Sequence, residues 1–338
     1  MKILIVGDQH FRHELPYASA FEDGRQKEWR ATLDKIIELG QSVDAVVLLG
    51  DNLDKRHNHS TVVKDFISFL KSFPAKTPVH IMAGNHERYG KETALDFLEK
   101  LGHPNWSVHT NMVVEPVIPG GDTTACFVPY VTPAMLGAKD LEEGKTKIME
   151  SMGKADLAFV HLALSGKKTD QFNEIVLPLE EMSNRFVFTF GGHVHKAELL
   201  ADNVLVAGSV FTHDMGEEGK SVFIYDTDLK TYEEHKLPVR GIYKLLVSSA
   251  DTRTSDIPDH SIVKCIVTDT QVDIDKLRQD VLSRFDAFVV VEQYPNTREK
   301  VMFEGGALDL SFENVLKVYA DVKGLSYTDL KEAWDLVK

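Results

Sequence analysis

Residues Lys2 to His10 read KILIVGDQH: an apolar run of the kind that makes a buried strand, then Gly-Asp, then a histidine two positions on. The pattern recurs along the chain. DAVVLL runs into GDNLD (Gly50 to Asp54), VHIMA into GNHER (Gly84 to Arg88), ADLAFV into FVHLALSG (Phe159 to Gly166) and FVFTF into GGHVH (Gly191 to His195). Strands that end in such loops bring their Asp, Asn and His side chains to one rim of a sheet. The expected architecture is therefore α/β, with the functional residues gathered at strand ends.

The residue types point to metal chemistry. Two divalent ions roughly 3.5 to 4 Å apart need a carboxylate able to bridge them, further oxygen and imidazole donors, and open positions for water and substrate. Asp8, His10, Asp51, Asn85, His161, His193 and His195 supply that set. His193 and His195 would point to opposite sides of an extended segment, but a loop after Gly191 and Gly192 can turn both inward. Taken singly, a Gly-Asp pair is ordinarily a turn and a histidine in an apolar run is ordinarily a core residue. Their joint occurrence after strand-like runs is what predicts a binuclear centre.

Composition bounds the rest. The chain has 338 residues and a net charge of -14, an unpromising balance for gripping a polyanion. Basic side chains nevertheless follow the motifs: Arg12 and His13 the first, Lys55, Arg56, His57 and His59 the second, Arg88 and Lys91 the third. They form either a local positive rim for a polyanionic substrate or a set of solvated loop charges. Cys126 and Cys265 sit far apart in apolar contexts and read as buried thiols of a reduced, cytoplasmic protein. No window has the length and apolarity of a membrane span, and nothing resembles a signal peptide.

Helical periodicity predicts helices over about 25–40, 60–73, 92–101 and 141–152, interleaved with the strands. From about residue 180 the pattern turns strand-rich, which suggests two sheets packed as a sandwich and flanked by helices. Pro238, Arg240 and Gly241 mark a boundary. The expected domains are residues 1–238, a small α+β unit at 239–300, and a helical pair at 301–338 whose Trp334, Tyr319 and Tyr327 lie on apolar faces. That pair either packs on its own core or docks onto a partner.

The motif order Gly-Asp-x-His, Gly-Asp-x-x-Asp, Gly-Asn-His-Glu, a lone His and Gly-His-x-His resembles the calcineurin-like metallophosphoesterase superfamily. The stretch AGSVFTHDMGEEGKSVFIYD (Ala207 to Asp226) is similar to the DNA-repair nucleases of the SbcD and meiotic-recombination-eleven type, including short phage subunits. The likeness is strong only to about residue 226. It implies one ion held by Asp8, His10, Asp51 and His195, a second by Asp51, Asn85, His161 and His193, with Asp51 bridging, and manganese favoured over magnesium. It also implies that His86 contacts the scissile phosphate of DNA, that residues 239–300 form a capping domain, and that the C-terminal helices dock an SMC-like ATPase of the SbcC type, in a homodimer. Position 54 is Asp where some members carry His, which leaves the role of Asp54 open. The absence of an Asp-Arg-Gly ending after Gly50 argues against a protein phosphatase. The other readings are a small-molecule or cyclic-nucleotide phosphodiesterase and a non-catalytic scaffold.

Overall fold

Alternate residues of the first strand, Lys2–Val6, enter two different cores. Ile3 and Ile5 face the space between two sheets, whereas Leu4 and Val6 face helices, and all four are fully buried. Burial on both faces is why KILIV is continuously apolar rather than alternating. The computed structural model describes residues 1–90, 92–165, 174–214, 216–247, 257–267, 272–285 and 287–292, with isolated positions 317, 320, 326–328, 330 and 331 beyond them.

One six-stranded sheet runs Thr231–Lys236, Ser221–Asp226, Lys2–Val6, Ala45–Leu48, Val79–Met82, Trp106–His109 in spatial order. The last four are parallel, and Ser221–Asp226 returns antiparallel beside the first. The other six-stranded sheet runs Glu198–Ala201, Val204–Val206, Phe188–Gly191, Leu157–Val160, Thr124–Val128, Val113–Pro116, with its central four strands parallel. Between the sheets, Ile3, Ile5, Val47, Phe127, Phe159, Phe188, Phe190 and Tyr225 form one core. Helices Gln26–Gly40 and Ser60–Lys71 cover the outer face of the first sheet through Trp29, Ile36, Phe66 and Phe69. Helices Leu141–Ser151 and Leu179–Arg185 cover the second through Ile148 and Met182. The expected two-sheet sandwich flanked by helices is what forms.

One expected helix is shorter than its sequence suggests. Residues 92–93 form the strand Glu92–Thr93, paired antiparallel with Arg88–Tyr89, and the helix starts only at Asp96. Gly90 takes a φ of 57°, and the Ala94 N–H donates to the Glu87 carbonyl at 2.8 Å, so the chain is committed to a hairpin before the helix begins.

Strands Ile242–Val247, Ile262–Val267 and Ala287–Glu292 form a separate parallel sheet beside helix Ile274–Leu282, with a core that includes Leu245, Val263, Cys265, Leu277 and Val281. Ile242 and Ile262 pack against Tyr17 and Phe21 of the sandwich. Backbone packing divides the chain into Met1–Tyr294 and Pro295–Lys338, so this sheet belongs to the first unit. Apart from the isolated positions, the C-terminal helical pair lies outside the described residues. Both cysteines are buried and unpaired, and burial pushes each thiol up to about 12. Among the described residues no helix is long and apolar enough to cross a membrane.

Phe159 is fully buried, stacked between Phe127 and Phe190 with ring centroids 5.2 and 5.7 Å away. Phe159→Ala should cost about 3–5 kcal/mol of stability, through lost burial and a cavity that the two sheets cannot close. Denaturant unfolding of the two proteins measures it; a loss under ~1 kcal/mol would show that the inter-sheet core repacks freely.

Candidate metal centre

Lys2–Val6, Ala45–Leu48 and Val79–Met82 are parallel in one sheet, and Leu157–Val160 and Phe188–Gly191 are parallel in the other. Each is followed within a few residues by one of the motifs, so the motif loops share the carboxyl-end rim, where α/β folds place their ligands. Asp8, His10, Asp51 and His161 are buried there, and Asn85, His193 and His195 are partly buried. His10, Asp51 and His193 adopt φ values of 50°, 46° and 76°, a left-handed conformation that non-glycine residues avoid and that collects at functional sites. A Cβ at Gly84 would collide with the Asp51 carboxylate, which explains the glycine before Asn85.

The donor atoms form two adjoining groups. In the first, His10 Nε2 and His195 Nε2 are 3.0 Å apart, and Asp8 Oδ2 lies 4.0 Å from His195 Nε2. In the second, Asn85 Oδ1 lies 3.1 Å from His161 Nε2 and 2.9 Å from His193 Nδ1. Asp51 Oδ2 stands between the groups, 3.8 Å from His10 Nε2 and 3.4 Å from His161 Nε2. All seven residues expected as ligands thus come together, and Asp51 occupies the shared position.

Hydrogen bonds turn the remaining atoms of these side chains away from the centre. His161 Nδ1–H donates to the Leu49 carbonyl at 2.7 Å, His195 Nδ1–H to Glu217 at 3.2 Å and His193 Nε2–H to Glu174 at 2.8 Å. Each bond leaves the opposite ring nitrogen with its lone pair facing the cluster, the arrangement that orients metal-binding histidines. The Asp8 Oδ1 atom accepts from the His193 N–H at 3.1 Å, and Asp51 Oδ1 from the His86 N–H at 2.9 Å. The other Asp8 oxygen, Oδ2, is buried without a hydrogen-bond partner.

These residues fit a pair of divalent cations. Donors bound at about 2.1 Å stand roughly 3 to 3.4 Å from their neighbours. His10–His195, Asn85–His161, Asn85–His193 and Asp51–His161 lie at 2.9 to 3.4 Å, while Asp51–His10 and Asp8–His195 are wider at 3.8 and 4.0 Å. The orphaned Asp8 oxygen and the imidazole lone pairs converging on it would otherwise be costly. Charge balance agrees: burial by itself would lower the His161 pKa, yet Asp51 and Asp8 push it up to about 9, so the pocket calls for positive charge.

His86 sits at the mouth, its side chain 41% exposed, with Nδ1–H donating to the Asp54 carbonyl at 2.8 Å. The Asp54 carboxylate pairs with Arg12 and lies 3.5 Å from His10 Nδ1, which gives this residue a place beside the first group. Arg12 also donates to His213 Nδ1 at 3.1 Å. His13, Lys55, Arg56, His57 and His59 are exposed, with the His13 and His59 rings 5.6 Å apart and the Arg56 guanidinium 5.4 Å from the Tyr89 ring. His59 also caps helix Ser60–Lys71. Arg88 does not join this rim: it is buried and donates to the Thr110 carbonyl, because it belongs to the hairpin packed against the sheet. Lys91 lies outside the described residues.

Sequence reasoning missed the residues that hold the ligands. Glu217 binds His195 and, at 2.7 Å, the buried Lys220 ammonium; burial would raise its pKa, but these two partners hold it down to about 2. Glu87 is fully buried and accepts from Gly84 N–H, Leu53 N–H and Asn52; burial and the Asp51 charge nevertheless push it up to about 7. Glu217 lies within the quoted stretch Ala207 to Asp226, but nothing local ties it to His195, 22 residues away. Glu174 gave no local signal.

A family model described as calcineurin-like phosphoesterase matches residues 1–197. Putative phosphoesterase 244L of Invertebrate iridescent virus 6 is 23% identical over 278 residues, covering 79% of this chain and 86% of that protein. Among solved structures, a novel archaeal phosphodiesterase is 17% identical and covers 70% of this chain and 100% of its own, with a TM-score of 0.34. The protein TT1561 of Thermus thermophilus is 14% identical and covers 70% of this chain and 98% of its own, with a TM-score of 0.43.

Glu217→Ala frees both His195 and Lys220. It should weaken divalent-ion binding by roughly 10- to 100-fold with the fold intact. Metal titration of the purified variant, beside a circular dichroism spectrum, checks this; unchanged affinity would show that Glu217 serves only Lys220.

Proposed function

The chain belongs to the calcineurin-like phosphoesterase family, and on that premise we propose that it is a manganese-dependent DNA nuclease that hydrolyses phosphodiesters at DNA ends. The family itself establishes metal-dependent phosphoester hydrolysis as the reaction class. The observation that carries the finer reading is the side of the metal centre on which His86 lies. There the exposed His86 imidazole is held by the Asp54 carbonyl, the loop that follows Asp54 carries exposed Lys55, Arg56, His57 and His59, and the Arg56 guanidinium stands 5.4 Å from the ring of Tyr89, which is 66% exposed. Cationic groups beside a centre on an otherwise acidic body suit a phosphate backbone, and an exposed tyrosine beside arginine suits a stacked base.

Divalent ions held by Asp8, His10, Asp51, Asn85, His161, His193 and His195 would make water nucleophilic near neutral pH and would neutralise charge on the phosphoryl oxygens. The chain's own residues supply position and protons. The Asp54 carbonyl fixes the His86 ring through Nδ1, so Nε2 is the atom offered to substrate, and in the imidazolium form it donates a proton to the departing 3′ oxygen. The His86 backbone N–H holds Asp51 Oδ1, which couples the placement of this imidazole to that of the shared carboxylate. Mixed oxygen and nitrogen donors accord with manganese, with magnesium as a weaker substitute. By resemblance, the C-terminal helices would dock an SMC-like ATPase of the SbcC type, and two copies would pair as a homodimer in double-strand-break repair.

His86→Ala should keep both ions and lose roughly a hundred- to ten-thousand-fold in turnover. The test uses end-labelled duplex and single-stranded DNA with manganese, beside a p-nitrophenyl phosphodiester, and with and without the ATPase and ATP. DNA cleavage that vanishes in the variant supports the nuclease. Turnover of the small diester alone would favour a small-molecule phosphodiesterase, and no turnover of either would favour a scaffold.

A further inference from the structure

Away from this centre, a second set of histidines joins the two sheets at their shared edge. His80 lies on Val79–Met82 and His109 ends the edge strand Trp106–His109, both in the first sheet. Glu115 lies on Val113–Pro116, the edge strand of the second. The two histidines are 2% and 4% exposed, and their rings stack on Phe127 of the second sheet with centroids 4.6 and 4.0 Å away. His80 Nδ1 and His109 Nε2 are 2.9 Å apart, and Glu115 Oε1 lies 3.6 Å from the former and 3.8 Å from the latter.

We propose that His80, His109 and Glu115 form a further divalent-cation site, of the zinc type, that clips the two sheets together at this edge. Tetrahedral bonds of about 2.05 Å place donors about 3.3 to 3.4 Å apart, and the three separations observed straddle that value. Two imidazoles and one carboxylate are a donor set that favours zinc over magnesium or calcium. The Val117 carbonyl accepts from His80 Nε2–H at 2.8 Å, which reserves the Nδ1 lone pair for a cation, as the carbonyl of Leu49 does for His161 in the metal centre. Burial lowers the pKa of both histidines, that of His109 well below the ordinary value, so each is in the neutral form that binds metal. The Glu115 side chain, 34% exposed, gives a route to solvent and the negative charge that offsets the ion.

The competing arrangement is a single hydrogen bond, His109 Nε2–H to His80 Nδ1. It gives Glu115 no role, since 3.6 and 3.8 Å are too long for hydrogen bonds to either ring. The experiment strips the full-length protein of metal, restores zinc, and measures zinc per chain and thermal midpoint for wild type, Glu115→Gln and His109→Asn. Wild type should retain one more zinc per chain than either variant, and zinc should raise its midpoint further than theirs. Glu115→Gln alters a partly exposed group at constant volume, so it carries the comparison if His109→Asn fails to fold. Equal zinc content and equal midpoint shifts across wild type and Glu115→Gln would overturn the site and leave a hydrogen-bonded histidine pair. Neither arm depends on catalytic turnover or on the identity of the substrate.

Discussion

Two buried carboxylates, Asp8 and Asp51, lie among imidazoles where the rims of the two sheets meet, and most of the local structure follows from the cost of keeping that charge out of water. Divalent cations resolve the cost, but only if the donors are already in place. Three of the candidate donors, His10, Asp51 and His193, hold a left-handed backbone that costs of order 1–3 kcal/mol each. The sandwich can impose this because the strands ahead of them are locked on both faces by apolar packing. A looser sheet would relax the loops and scatter the ligands.

Around the donors lies a layer of acceptors that decides which nitrogen of each ring faces inward. The Leu49 carbonyl, Glu174 and Glu217 take one N–H from His161, His193 and His195 respectively. Beyond that layer a buried charge network reaches toward the small parallel sheet. Arg25, 1% exposed, donates to Glu28 at 3.0 and 2.7 Å and to Thr212 Oγ1 at 3.0 Å. Glu28 in turn accepts from the Arg240 backbone at 2.6 Å and from its guanidinium at 2.7 Å. Residue 240 leads directly into strand Ile242–Val247, and residue 212 precedes His213, the partner of Arg12 beside the first donor group. The small sheet is thus fixed to the loops that shape the metal centre by charges that would be expensive to separate once buried.

The sandwich and the convergence of its seven candidate donors were legible because both rest on local pattern. Apolar runs buried on two faces must be strands, and Gly-Asp, Gly-Asn-His and Gly-His-x-His directly after them can only lie at strand ends. The same reasoning misjudged residues 92–95, where a hairpin held by Gly90 and the Glu87 carbonyl overrides helical periodicity. It also placed Arg88 on the cationic rim, although that side chain turns inward to Thr110. Side-chain direction at a loop depends on packing partners that the local sequence does not name.

What the sequence by itself determined is the set of candidate donors that converge at one rim and the order in which strands deliver them, because residue type and strand periodicity are properties of short segments. Only the tertiary structure decided which ring nitrogen each histidine presents, that Asp51 stands between the two groups, and that His80, His109 and Glu115 meet across the sheets. Those facts rest on contacts between residues far apart in the chain, 112 positions for His161 and Leu49 and 37 for His80 and Val117, and such contacts exist only once the two sheets have packed.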